Sequence, residues 1–230
     1  MKTQKVIAID GPSGSGKSTI AKSLSLRLGL TYLDTGAMFR ALAWALDDKQ
    51  IAPDDDQEIR RYLSESDFKY APSESVLIEL NGKDLTHVIR EHHVSHLASQ
   101  YSKNTSIRNY LKHLQRDIAS RRPSVLEGRD IGTVIFPDAV LKFFLTAKPR
   151  VRAQRRYQQL EELGQDMSQV DIDSITKDIE LRDQEDRNRK HAPLLKADDA
   201  IEIDTSTLTI DNVISIIEDY YQKNIQSFKG

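Results

Sequence analysis

Cysteine is absent from this chain of 230 residues. That excludes a disulfide framework, a thiol nucleophile and any Cys-based metal site. Long apolar runs are missing too: none approaches the length of a membrane span, so no membrane partner is expected. The first apolar stretch begins within five residues of Met1, leaving no room for a signal peptide, and a cytoplasmic protein is expected. A third absence is an excess of charge of one sign. Charged residues make up 30% of the chain, yet the formal net charge is −2. This balance argues against an extended nucleic-acid surface. The basic residues also lack the interleaved aromatics of such a surface. There is no internal repeat, no low-complexity segment and no obvious spare apolar face, so a monomer is expected.

What is present begins with size. A chain of 230 residues can bury the core of one sizeable α/β domain with an insertion. The run Lys5-Val6-Ile7-Ala8-Ile9-Asp10 reads as a buried strand, and Lys17 to Leu28 reads as a helix ending at Gly29. Thr31 to Asp34 reads as a second strand, and Ala37 to Leu46 as a second helix. Asp54-Asp55-Asp56 invites another helix start, because acidic residues suit the first turn. Val76 to Leu80, then Asn81-Gly82, then Lys83 to Leu85 signal a hairpin, since Asn-Gly supplies the positive φ angles of a type I′ turn. Glu91 to Arg121 returns to helix. Ser124 to Glu127, Val140 to Leu145 and Ala200 to Ile203 are three more strand candidates, which makes a five-stranded, mainly parallel sheet. Two long polar helices fill Lys148 to Arg189, and a terminal helix from about Ile210 carries Val213, Ile214, Ile217, Tyr220 and Tyr221 at helical spacing.

Between the first strand and helix lies Gly11-Pro12-Ser13-Gly14-Ser15-Gly16-Lys17-Ser18, which fits G-x-x-x-x-G-K-[ST]. A loop at that position can cradle phosphate with its backbone N–H groups and the positive end of the helix dipole. Lys17 can reach the outer phosphates, and the Ser18 hydroxyl can ligate Mg²⁺. A nucleoside triphosphate ligand follows.

Glu127-Gly128-Arg129-Asp130-Ile131-Gly132-Thr133 ends the third strand on the same edge of the sheet, where ligands of open α/β sheets bind. Arg129 and Asp130 are therefore candidates to face a nucleotide, or else an ordinary surface ion pair. Arginine is concentrated late in the chain, at Arg150, Arg152, Arg155, Arg156, Arg182, Arg187 and Arg189. Such a run is either a solvated helix pairing with Glu180, Asp183, Glu185 and Asp186, or a lid whose guanidinium forks close over polyphosphate. His92 and His96 lie i, i+4, but His93 stands where a zinc protease has Glu, and no metal site is expected there.

Four stretches taken together resemble the bacterial-type cytidylate kinases, a branch of the nucleoside monophosphate kinases. They are Ile9 to Thr19, Leu33 to Arg40, Glu127 to Ala139, and Arg182 to Arg189 with Ala192-Pro193-Leu194 after it. The resemblance implies a three-layer P-loop kinase fold with a five-stranded parallel sheet, an inserted antiparallel hairpin subdomain and a helical lid. It places an acceptor-binding region in residues 30–122, the hairpin at about 68–90 and the lid at about 148–190 of a single domain. It implies Mg-dependent phosphoryl transfer from ATP to CMP or dCMP. ATP would sit on Gly11, Pro12, Ser13, Gly14, Ser15, Gly16, Lys17, Ser18 and Thr19. Arg40, Arg129 and Arg189 would clamp the CMP phosphate. Ser99, Arg108 and Asp130 would read cytosine, Arg182 and Asp186 would hold the ribose, and Thr35 and Phe39 would complete the CMP site. Lys17, Arg129 and Arg189 would carry catalysis, with Arg155, Arg156 and Arg187 in the lid. Phe39 departs from the Tyr usual in the family, which keeps the aromatic face and loses a hydroxyl.

Two other readings stay open on the residues alone. A P-loop kinase with an alcohol acceptor would want a carboxylate base, for which Asp10, Asp34 and Asp130 are candidates. A nucleotide switch of the GTPase type would want an N-K-x-D motif, and none is found.

Overall fold

The computed structural model describes residues 4–71, 73, 75–162, 164 and 170–229. Residues 72 and 74 of the expected insertion, and 163 and 165–169 of the expected lid, lie outside the described residues. In chain order the elements are β1 (Gln4–Asp10), α1 (Lys17–Leu28), β2 (Thr31–Asp34), α2 (Thr35–Asp48), α3 (Asp56–Glu65), β3 (Phe68–Tyr70), β4 (Ile78–Leu80) and β5 (Lys83–Asp84). Then come α4 (His92–Tyr101), α5 (Thr105–Arg121), β6 (Ser124–Gly128), β7 (Ala139–Thr146), α6 (Pro149–Glu162), α7 (Ile172–Asn188), β8 (Ile201–Asp204), α8 (Ile210–Lys223) and α9 (Ile225–Lys229). By contacts the chain divides into Met1–Leu33 with Ile118–Gly230, and Asp34–Asp117.

The first unit is built on a five-stranded sheet of order β2-β6-β1-β7-β8. The β1–β6, β1–β7 and β7–β8 pairs are parallel. β1 lies in the middle because Val6, Ile7, Ala8 and Ile9 are apolar on both faces, and all four are buried. A strand that hides both faces reads as an unbroken apolar run. Against the sheet pack Ile20 and Leu24 of α1 and Val213, Ile214 and Ile217 of α8. Both helices are well bounded: Gly29 takes a left-handed conformation after α1, and Thr209 with Asn212 forms a capping box before α8. α6 and α7 pack on each other around a small core of Ala153, Leu160, Ile175 and Ile179. With the phosphate loop following the central strand, this is the three-layer P-loop kinase fold expected from the sequence.

In the second unit α2 packs on α4, and β3, β4 and β5 form an antiparallel sheet. Asn81 and Gly82 have φ of 51° and 78°, as the expected tight turn needs. The hairpin is larger than expected, because Phe68–Tyr70 adds a third strand along β4. The expected continuous helix from Glu91 to Arg121 is instead two helices. Asn104 separates them, accepting from the N–H groups of Ser106 and Ile107 at 2.9 and 3.1 Å, which makes it the cap of α5. α2 begins at Thr35, two residues before the expected start, with Asp34 as its N-cap. No helix among the described residues is long and apolar enough to cross a membrane.

Candidate active site

The phosphate loop is fixed from several sides before any ligand arrives. Gly11 has φ +147°, and a Cβ there would lie 2.1 Å from the Leu145 carbonyl oxygen. Only glycine lets the loop leave β1 so close to β7. Inside the loop, Ser15 Oγ and Lys17 Nζ both donate to the Pro12 carbonyl, at 3.0 and 2.7 Å. From outside, Thr205 Oγ1 donates to the Ser15 carbonyl at 3.0 Å, and Arg152 donates to the Ser13 carbonyl at 2.9 Å. The carbonyls of Pro12, Ser13 and Ser15 thus take protein donors, which suits a loop whose N–H groups serve an anion. Gly16 caps α1 without a side chain bonded to the first turn, so that turn's N–H groups and dipole face outward. Lys17 is 5% exposed. Burial, with the Arg129 guanidinium nearby, pulls its ammonium down to about 7. A polyphosphate would restore the charge that burial disfavours. Ser18 and Thr19 follow, exposed in the first turn.

Beyond β6, Arg129 and Asp130 precede a π-helical turn over Ile131–Ile135. The Asp10 carboxylate accepts from the N–H groups of Ile131 and Gly132, at 2.9 and 2.7 Å. Burial drives the Asp10 carboxyl up to about 7 despite these two donors. Arg129 Nε donates to Asp186 Oδ2 at 2.9 Å, and Asp186 Oδ1 pairs with Arg189 at 3.0 Å. Burial would raise the Asp186 carboxyl, but Arg129, Arg189 and Arg182 together hold it below its ordinary value. One carboxylate of α7 therefore gathers Arg129, from the end of β6, and Arg189, just past α7.

The other late arginines divide. Arg152 and Asp183 form an ion pair of 2.7 Å, each side chain 3% exposed, and Arg152 also donates to the Ala147 carbonyl at 2.9 Å. Such a pair adds little net stability, but removing one partner leaves a buried charge and costs about 3–5 kcal/mol. Arg155 donates to Thr205 Oγ1 and its carbonyl, at 2.9 and 2.6 Å. Arg156 bonds Gln159, Arg150 pairs with exposed Asp173, and Arg187 is exposed. The solvated-helix reading thus fits Arg150, and it fails for Arg152.

Within the second unit, Asp34 accepts from the Ala37 N–H at 2.7 Å and pairs with Arg40 at 3.2 Å. Arg40 follows Phe39 on α2, while Thr35 is buried at its start. The Arg108 guanidinium lies 5.4 Å from the centre of the Phe39 ring and donates to the Ser102 carbonyl at 3.1 Å. Ser99 is half-buried on α4, and its carbonyl accepts from Ser102 Oγ. Phe39 and Arg108 are thus brought together, as are Asp34 and Arg40.

The cytidylate kinase family model matches residues 7–223. The chain belongs to the cytidylate kinase family. The cytidylate kinase of Geobacter sulfurreducens is 41% identical over 226 residues, spanning 98% of this chain and 96% of that protein. That of Fervidobacterium nodosum is 46% identical over 213 residues, 93% and 94% of the two. The bifunctional pantoate ligase/cytidylate kinase of Prochlorococcus marinus is 42% identical over 227 residues, spanning 98% of this chain and 44% of that longer protein.

The donors present fit the Mg²⁺ that a cytidylate kinase implies. Magnesium keeps several waters and relies on substrate phosphates, so one or two protein oxygens suffice. The exposed Ser18 hydroxyl meets that need, while both Asp10 oxygens are already engaged. Three residues that shape the site, Asp10, Arg152 and Thr205, lie outside the expected ligand set. Asp10 carried one signal, a charge closing an apolar strand. Arg152 was hidden in a charge run, and Thr205 has no sequence signal.

Proposed function

We propose that this protein transfers the γ-phosphoryl group of ATP to CMP or dCMP, giving ADP and CDP or dCDP. The observation that carries this reading is the pairing, in one unit, of an intact phosphate loop with the Arg129–Asp186–Arg189 set. An acceptor phosphate oxygen forms the new bond to the γ-phosphorus, and the bond to the bridging oxygen breaks. The acceptor is already anionic, so no base is needed, and catalysis is positioning and charge stabilisation.

Residues Gly11 to Thr19 bind the ATP phosphates, with Lys17 on the outer ones. Arg129 and Arg189 hold the CMP phosphate with Arg40, and Asp186 with Arg182 takes the ribose hydroxyls. Asp130, Ser99 and Arg108 read cytosine, beside Phe39 and Thr35. A uracil carbonyl facing the acceptor would leave a buried group unpaired. Arg155, Arg156 and Arg187 belong to the lid, and residues 30–122 contain the acceptor-binding region. Bound Mg²⁺ would neutralise phosphate charge, held by Ser18. Near-balanced charge speaks against a nucleic-acid partner, and the protein is read as a cytoplasmic monomer.

An alcohol acceptor is disfavoured because Asp10 and Asp34, two of its candidate bases, are taken up by backbone donors and Arg40. The test is ADP formation from ATP and Mg²⁺ with CMP, dCMP, UMP, AMP, GMP, cytidine or no acceptor. Turnover strongest with CMP or dCMP and absent with cytidine is expected. Turnover confined to another monophosphate overturns the base assignment, and turnover with cytidine overturns the chemistry.

A further inference from the structure

β1 delivers two things at its carboxyl end. Its last residue is Asp10, and the next, Gly11, opens the phosphate loop. Asp10 is 5% exposed, and it contributes no charge to the surface. Its two oxygens reach across to β6's exit and take the N–H groups of Ile131 and Gly132. These are the first two N–H groups of the π-helical turn, which its own residues cannot satisfy. The Asp130 carbonyl meanwhile accepts from Val134 and Ile135 at 2.9 and 3.1 Å, closing the turn behind the same anchor. Gly132 lies against the Lys142 side chain: a Cβ there would come within 3.1 Å of Lys142 Cδ, and within ordinary contact, 3.4 Å, of Asp10 Oδ2. Arg129 and Asp130 are therefore fixed immediately before a turn that is itself held by Asp10.

We propose that Asp10 is a positioning residue that sets the Arg129–Asp130 acceptor loop in register with the phosphate loop. The inference rests on the reading of Arg129 and Asp130 as acceptor contacts. One side chain joins the two halves of the reaction: it is one covalent step from the donor cradle and two hydrogen bonds from the acceptor loop. A carboxylate is required, because only two acceptor oxygens on one rigid group match two adjacent N–H donors. Asparagine would offer one acceptor and turn its NH₂ against the remaining N–H. Asp10 is neither a base nor a phosphate ligand in this role, since both oxygens are spent on backbone.

The test compares Asp10→Asn with the unaltered protein in CMP and ATP affinity, each measured by calorimetry without the other nucleotide, and in kcat. Misplacement of the acceptor loop lowers kcat by about 10²-fold. CMP affinity falls with it while ATP affinity and melting temperature hold. Loss of both affinities in proportion, or a near-normal kcat, overturns the proposal. If Asp10→Asn does not fold, Asp10→Glu keeps both acceptor oxygens but shifts them by one methylene against the Ile131 and Gly132 N–H groups, and the same split between CMP and ATP is expected. An even loss in that variant overturns the proposal as well. Failure of the cytidylate kinase reading shows separately, as absence of CMP-dependent turnover in the unaltered protein, and removes the acceptor role of the loop with it.

Discussion

The phosphate loop and the Arg129–Asp186–Arg189 set both handle phosphate charge, yet they are made in opposite ways. The loop is eight consecutive residues whose geometry comes from backbone: a glycine pressed against Leu145, carbonyls capped by Ser15, Lys17, Arg152 and Thr205, and a bare helix N-terminus. The arginine set joins Arg129 and Arg189, 60 residues apart in sequence, to one carboxylate, by ion pairs of 2.9 and 3.0 Å. A contiguous backbone device offers one cation, Lys17, whose charge burial keeps in check. A dispersed side-chain device brings two guanidinium forks to one carboxylate, a geometry that also matches phosphate oxygens. The first suits a donor common to many enzymes, and the second suits one particular acceptor.

The strongest break in this comparison is Lys17→Ala. Loss of the loop's only buried cation should lower kcat by about 10³-fold for every acceptor alike, as measured by ADP release with CMP and dCMP. A smaller effect is expected from Arg189→Ala. Turnover should fall about 10²-fold through lost alignment of the acceptor phosphate, with ATP affinity kept; a near-normal rate would return Arg189 to a structural partner of Asp186. Asp130→Ala sharpens the contrast further, since it should cost discrimination more than rate. The ratio of kcat/KM for CMP over UMP should drop by about tenfold or more, and equal losses on both would remove Asp130 from base reading. The smallest effect concerns protons. Lys17 has been lowered from 10.5 to about 7, so at pH 8 it is mainly neutral in the free protein. Bound polyphosphate favours the ammonium, and ATP binding at pH 8 should therefore take up part of a proton. The uptake should vanish well below pH 7, where Lys17 is already charged. Calorimetry in two buffers of different ionisation enthalpy reads it, and Lys17→Ala should abolish it.

How legible each region was follows from the same contrast. The strand, loop and helix around Gly11 to Leu28 could be read directly because every determinant is local: an apolar run, glycines, Lys17, and a glycine stop. The Asn81-Gly82 turn was equally plain. β3 was not foreseen, since three residues are too few to show alternation and their pairing with β4 is decided by tertiary contact. The break between α4 and α5 left a signal at Asn104-Thr105-Ser106, a capping pattern submerged in a stretch that is otherwise helical. The π-helical turn left none, because its N–H groups are satisfied by Asp10, from a strand 121 residues earlier. Arg152 shows the same limit from the other side: composition counts it with the exposed arginines, and only packing against Asp183 and Ser13 makes it a buried fastening.

That fastening gives the α6–α7 pair a particular kind of dependence. Among the described residues Ala153, Leu160, Ile175 and Ile179 form the core of the pair. The Arg152–Asp183 contact that joins the two helices is tied at one end to the Ser13 carbonyl, fixing their register more than their stability. Order in the phosphate loop and order in the arginine-bearing helices then rise and fall together. A nucleotide that quiets the loop would also slow hydrogen exchange along α6 and α7, helices whose backbone it need never touch.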